Sequence, residues 1–185
     1  MAITLQDYLT SLQGKRVAVI GIGVSNTPLI KTLLQAGISV TACDKAPRTA
    51  FGALADELES MGAVLHLGDA YLDGLDQDVI FRSPGIRPDI PPFLSAMEKG
   101  SALTSEMEVF FQVCPCKIIA VTGSDGKTTT TTLIAEIAEE CRLYRPSGRK
   151  YWKTAPLGSR QHVSRRYRGF GALFFPADDA LCQSG

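Results

Sequence analysis

The sequence has little with which to cross-link itself, close a metal site or cross a membrane. Its five cysteines (Cys43, Cys114, Cys116, Cys141 and Cys182) are odd in number and widely scattered, so a disulfide framework is not expected and free thiols are. Cys114-Pro115-Cys116 lacks the second pair that a structural zinc site needs. His66 falls inside a strand pattern and reads as a structural or surface residue rather than a catalyst. No apolar run approaches the roughly 20 residues of a membrane span. Met1 to Gln13 lacks the basic-then-apolar order of a signal segment. A cytoplasmic protein with no membrane partner is expected.

Net charge is missing too: 19 Lys and Arg balance 19 Asp and Glu over 185 residues. A zero balance argues against a nucleic-acid partner, but the zero is a sum of unlike parts. Residues 1–140 carry 10 basic and 17 acidic side chains, net −7, and residues 141–185 carry 9 and 2, net +7. The second part has seven arginines and no Glu, Ile, Met or Asn, whereas the first has four arginines and twelve isoleucines. The composition breaks near Cys141.

Before that break the chain alternates strand and helix patterns. Arg16 to Gly21 is a short β-branched run ending in glycine, as buried parallel strands do. Asn26 and Pro28 open a helix that Gly37 stops. Ser39–Asp44, Ala63–Leu67, Asp78–Phe81 and Ser101–Thr104 read as further strands. Helical patterns lie between or after them, around Phe51–Met61, Pro91–Lys99 and Glu106–Gln112. Such alternation predicts an α/β fold with a doubly wound parallel sheet. A second unit opens with a strand at Lys117–Thr122, a loop at Gly123–Lys127 and a helix at Thr128–Glu140.

Two loops carry chemistry. Gly21-Ile22-Gly23-Val24-Ser25-Asn26 joins the first strand to a helix, and its first two glycines suit a tight turn whose amides face a phosphate. Asn26 stands where the dinucleotide fingerprint has its third glycine, and Asp44 ends the second strand where an acid meets a ribose or base. A plain tight turn explains the same residues. Val121 to Thr129 is more specific: a strand, a glycine-containing loop, then Gly126-Lys127-Thr128-Thr129 opening a helix. Loop amides cradle polyphosphate, Lys127 reaches its outer phosphates and a threonine hydroxyl ligates magnesium. The general pattern wants glycine at the position of Val121, and here the upstream glycine is Gly123. Ser83-Pro84-Gly85 follows the fourth strand at the carboxyl edge of the sheet, where open α/β sheets bind ligands. Alone it is an ordinary turn.

Taken together, Val19–Ser25, Arg82–Ile86, Ser105-Glu106 and Ala120–Thr129 resemble the Mur ligase family over about residues 5–140. The resemblance implies a Rossmann-like domain over 1–113 that binds the UDP part of a substrate through Gly23, Val24, Ser25, Asp44, Ser83, Pro84 and Gly85. It implies the start of a P-loop-type ATPase domain over 114–140. There Ser124, Asp125, Gly126, Lys127, Thr128 and Thr129 would hold ATP, Lys127 would act on the transferring phosphoryl group and Thr128 would ligate Mg2+. The implied partners are UDP-N-acetylmuramoyl-L-alanine and D-glutamate, joined by a monomeric enzyme. The family also uses a central-domain glutamate, a histidine, a modified lysine and a third domain, none of which is placed in this chain.

Residues 141–185 have two readings. As a basic, aromatic-bearing arm they would suit nucleic acid. The preferred reading is a frameshift, which leaves an inactive fragment with an aberrant, disordered tail. Gly169 to Asp179 has codon choices that, read one nucleotide later, give Val-Leu-Glu-Leu-Ser-Ser-Phe-Gln-Leu-Met-Thr, which resembles the family's glutamate-bearing segment. Gly148 to Pro156 likewise permits Gly-Gly-Asn-Ile-Gly-Lys-Pro-Leu, and Cys141 to Tyr144 permits Ala-Gly-Tyr-Thr.

Overall fold

The computed structural model describes residues 3–24, 26–114, 117–140, 165–167 and 170–175. The chain divides into two units, Ile3–Val113 and Cys114–Gly185.

The first unit opens with helix α1 (Leu5–Ser11), which the hydrophobic pattern does not announce because it buries no residue. It starts at a reciprocal cap. The Asp7 amide donates to Thr4 Oγ1 at 3.1 Å, and the Thr4 amide donates to Asp7 Oδ2 at 3.0 Å. Strand β1 (Arg16–Ile20) follows, with every residue after Arg16 buried. Then come α2 (Asn26–Gln35), β2 (Ser39–Asp44), a 3-10 turn at Arg48–Ala50, α3 (Ala53–Ser60), β3 (Val64–Leu67) and β4 (Val79–Phe81). The unit ends with α4 (Pro91–Glu98), β5 (Ala102–Thr104) and α5 (Glu106–Val113). Prolines at the first helical positions of α4 supply a preset φ where no amide partner is needed.

The five strands form one all-parallel sheet in the order β3-β2-β1-β4-β5. Strand β1 sits at the centre, with Val17 opposite both Val40 and Val79. A central parallel strand meets protein on both faces, which is why Val17, Ala18, Val19 and Ile20 are apolar without alternation. Ala18, Ile20 and Ile80 pack with Cys43, Leu75, Phe93 and Ala96 in one cluster. Helix α2 turns Leu29, Ile30 and Leu33 inward, three buried side chains at helical spacing. The order reverses between β1 and β4, so the loops after these two strands open side by side at the carboxyl edge.

The second unit contains β6 (Lys117–Thr122), α6 (Lys127–Glu140), β7 (Arg165–Tyr167) and β8 (Phe170–Phe175). Helix α6 begins one residue before the expected Thr128. Strand β8 runs antiparallel to both β6 and β7, with Ala120 opposite Ala172. The expectation of a tail without regular structure falls mostly outside the described residues. Of that stretch, the nine that are described form β7 and β8.

Candidate functional site

The carboxyl edge of the five-stranded sheet is assembled by three strands. Strand β1 runs into Gly21, whose φ of +94° favours glycine. Its amide donates to the Cys43 carbonyl at 2.7 Å, extending the β1–β2 pairing by one residue. From β4, Ser83 closes on Gly21 so tightly that an added Cβ would lie 3.2 Å from the serine Cβ. The Ser83-Pro84-Gly85 loop turns back through a 3.1 Å bond from the Ile86 amide to the Ser83 carbonyl. Hence the β1 and β4 loops meet at the switch point of the sheet.

Gly23 differs from Gly21. It has no left-handed φ, and an added Cβ would meet nothing within 4 Å. Nothing in the described protein requires glycine there. Beside it Val24 is 79% exposed, unusual for a branched apolar side chain in a tight loop. Among the described residues, the amides of Gly23 and Val24 have no protein acceptor. Ser25, also expected at this site, lies outside the described residues.

Asp44 is placed as expected at the end of β2, but its carboxylate is already engaged. Oδ2 accepts from the Ile22 amide at 2.6 Å and Oδ1 from the Ala46 amide at 2.8 Å. Its backbone carbonyl accepts from Gly68 at 2.9 Å. The side chain therefore ties the glycine loop to β2, a role the strand-end position did not reveal. Next to it, burial and then the Asp44 charge push the Cys43 thiol up to about 12, so this cysteine is chemically quiet.

Two features escaped the sequence reading. Asn26 is buried, and its Nδ2 donates to the carbonyls of Ile20 and Gly21, both at 3.0 Å. Ser105 and Glu108 cap α5: the Glu108 amide donates to Ser105 Oγ at 3.2 Å, and Glu108 Oε2 accepts from the Ser105 amide at 3.1 Å. The Ser-x-x-Glu spacing signals this box. Glu108 also faces Arg82 at 3.7 Å, and Arg82 reaches the Ile86 carbonyl at 3.3 Å, so the β4 loop is tied to α5.

In the second unit β6 leads into Gly123, at φ +150°, and the loop closes at Gly126, at φ +74°. Between them lie Ser124 and Asp125, both exposed. Lys127 folds back over the loop, its Nζ donating to the Gly123 carbonyl and, at 2.7 Å, to the Ser124 carbonyl. A loop curled around an ammonium in this way presents its backbone at the mouth of α6. Thr128 and Thr129 are exposed on the first turn, while Thr131 is buried and donates to the Lys127 carbonyl at 2.6 Å. The first amides of a helix lack intrahelical acceptors and favour an anion. The exposed Thr128 hydroxyl, an oxygen ligand beside that end, suits a hard cation such as Mg2+.

No family model matches the chain. It is 46% identical over 159 residues, 85% of its length, to UDP-N-acetylmuramoylalanine--D-glutamate ligase of Acetivibrio thermocellus, covering 33% of that protein. The protein of the same name from Clostridium botulinum strain Hall is 49% identical over 160 residues, 86% of this chain and 34% of its own. That of strain Kyoto is 54% identical over 141 residues, 76% of this chain and 31% of its own. Among solved structures, UDP-N-acetylmuramate-alanine ligase from Thermotoga maritima aligns with a TM-score of 0.43 at 22% identity, over 69% of this chain and 30% of its own. The chain spans about a third of the length of the curated relatives it matches. Matches of 159 and 160 residues also run past Cys141, farther than the resemblance read from motifs alone. Over the residues so matched, the chain is similar to ligases named for joining D-glutamate to UDP-N-acetylmuramoylalanine.

Proposed function

We propose that the Ile3–Val113 unit binds the UDP part of UDP-N-acetylmuramoyl-L-alanine, and that the loop Ser124 to Thr129 binds ATP with Mg2+. In the whole protein these would serve ATP-dependent joining of D-glutamate to the substrate carboxylate, a step of peptidoglycan precursor synthesis. Gly23 carries the first half of this reading. Among the described residues its missing side chain answers to no backbone strain and no protein neighbour, and the amides of Gly23 and Val24 at the switch point have no protein acceptor there. That is the condition under which a diphosphate approaches the backbone.

Within the cleft, Gly23 and Val24 offer amides to the diphosphate, while Ser83, Pro84 and Gly85 wall its other side. Asp44 keeps the glycine loop in shape and has further lone pairs for the nucleoside. In the second unit Lys127 exchanges its two loop carbonyls for phosphate oxygens, and the amides of Gly126 and the first turn of α6 cradle the chain of phosphates. Thr128 would hold Mg2+ through its hydroxyl. MgATP, when bound, supplies the phosphoryl group that activates the substrate carboxylate for attack by the D-glutamate amine. Lys127 stabilises the negative charge on the transferring group.

The composition break at Cys141 favours a second reading for this chain in particular. Residues read in a shifted frame would not supply the family's remaining catalytic groups, so the chain would keep nucleotide-sugar binding without ligation. Phosphate release from ATP, measured with UDP-N-acetylmuramoyl-L-alanine present and D-glutamate added or withheld, tests this. No D-glutamate-dependent release is expected from the purified chain, and measurable release contradicts the inactive-fragment reading.

A further inference from the structure

We propose that Asn26 is a positioning residue that sets the shape of the Gly21–Gly23 turn and thereby the affinity of the site for a diphosphate. The inference rests on the reading of that turn as the UDP site. Asn26 is the first residue of α2, is 3% exposed, and occupies the position where the dinucleotide fingerprint has its third glycine. A glycine there serves close helix–strand packing and donates nothing from a side chain. Here the amide nitrogen donates to two successive carbonyls, those of Ile20 and Gly21. Two carbonyl acceptors fix which end of the amide faces the turn, since only the nitrogen donates.

Backbone polarity then follows. Asn26 draws the Ile20 and Gly21 carbonyls toward the helix start. Asp44 draws the Ile22 amide toward β2. The Gly23 carbonyl accepts from the Thr27 amide at 2.9 Å. The groups so engaged are the carbonyls of Ile20, Gly21 and Gly23 and the amides of Gly21 and Ile22, and among the described residues the amides of Gly23 and Val24 have no protein acceptor and remain for an anion. Carbonyl oxygens facing a diphosphate would repel it, so a side chain that holds them away raises affinity without touching the ligand.

The test uses the full chain, UDP as the probe, and three proteins: wild type, Asn26→Asp and Asn26→Ser. Asn26→Asp keeps the shape but replaces the donor with an acceptor. Asn26→Ser keeps one hydroxyl donor and carries the test if the aspartate variant does not fold. Titration calorimetry should show UDP binding weakened about tenfold in Asn26→Asp and less in Asn26→Ser, a graded loss that follows the number of donors. Folded variants that bind UDP as tightly as wild type overturn the proposal. A loss of affinity matched by a comparable fall in melting temperature in both variants also overturns it, since that is a structural effect alone. Hydrogen exchange separates the proposal from the reading beneath it. If wild type does not bind UDP, the site assignment fails. The clamp is then judged by the Ile22 amide, which should exchange faster in the variants, and unchanged protection rejects it.

Discussion

Gly21 and Ser83, the residues that close the ends of β1 and β4, are in near contact. A Cβ on Gly21 would lie 3.2 Å from that of Ser83, and the φ of +94° is one that side-chain-bearing residues avoid. Gly23, two residues on, has neither constraint. The two glycines of one motif are therefore there for different reasons.

Gly21→Ala should accordingly cost about 1–3 kcal/mol of stability, read as a lower denaturation midpoint. Gly23→Ala should leave the midpoint within about 0.5 kcal/mol of wild type, apart from the small gain of replacing glycine. Equal destabilisation by both would mean that Gly23 answers to the protein after all.

Asp44→Ala removes the acceptor of the Ile22 and Ala46 amides. Charge-assisted bonds of this kind are worth about 2 kcal/mol each when one partner is lost. The variant should melt earlier and bind UDP more weakly, and Asp44→Asn, which keeps one acceptor oxygen, should fall between. A stable Asp44→Ala protein that binds UDP as tightly as wild type or more tightly would show that the carboxylate does not hold the turn.

Cys43 gives a pH prediction. Burial, with the Asp44 charge added, raises its thiol from 9.0 to about 12 in the fold. The unfolded chain ionises first, so this residue's contribution to stability is complete below about 9 and is lost as pH rises toward 12. Mass mapping after brief iodoacetamide treatment at pH 8 should find Cys43 unmodified and the half-buried Cys114 labelled. Rapid labelling of Cys43 in the folded protein would contradict its burial.

Much of this was legible in the sequence, for physical reasons that can be named. A parallel strand buried on both faces has to be a run such as Val17-Ala18-Val19-Ile20, and the Gly-Lys-Thr-Thr run opens a helix within one residue of its expected start. Helix α1 was not legible, because it buries nothing and its capping residue at the third position is Asp7 rather than the usual glutamate or glutamine. The clamp at Asn26 was hidden for another reason. A side chain that bonds to backbone carbonyls leaves no periodicity, and the bonds to the Ile20 and Gly21 carbonyls are visible only in the folded turn. Asp44 was located correctly, but its bonds to Ile22 and Ala46 depend on the loop geometry that follows it.

Lys127→Ala should weaken ATP binding at least tenfold, from loss of a charge-assisted contact to phosphate, while UDP affinity stays at the wild-type value. Parallel titrations of the two nucleotides check this. An unchanged ATP affinity would remove Lys127 from the site.

The reading of residues 141–185 predicts a one-nucleotide shift. Resequencing the codons from Glu139 onward should find it, with the shifted frame continuing the family pattern. An unbroken frame, with an intact tail peptide in the cellular protein, refutes it.

The central claim is that the β1–β4 switch point binds UDP through Gly23. Calorimetric titration of UDP-N-acetylmuramoyl-L-alanine into wild type and Gly23→Asp tests it most directly. The account predicts saturable binding at one site by wild type, and at least a tenfold loss in Gly23→Asp with the melting temperature unchanged. Binding of equal strength in the two proteins, or none in wild type, would contradict it.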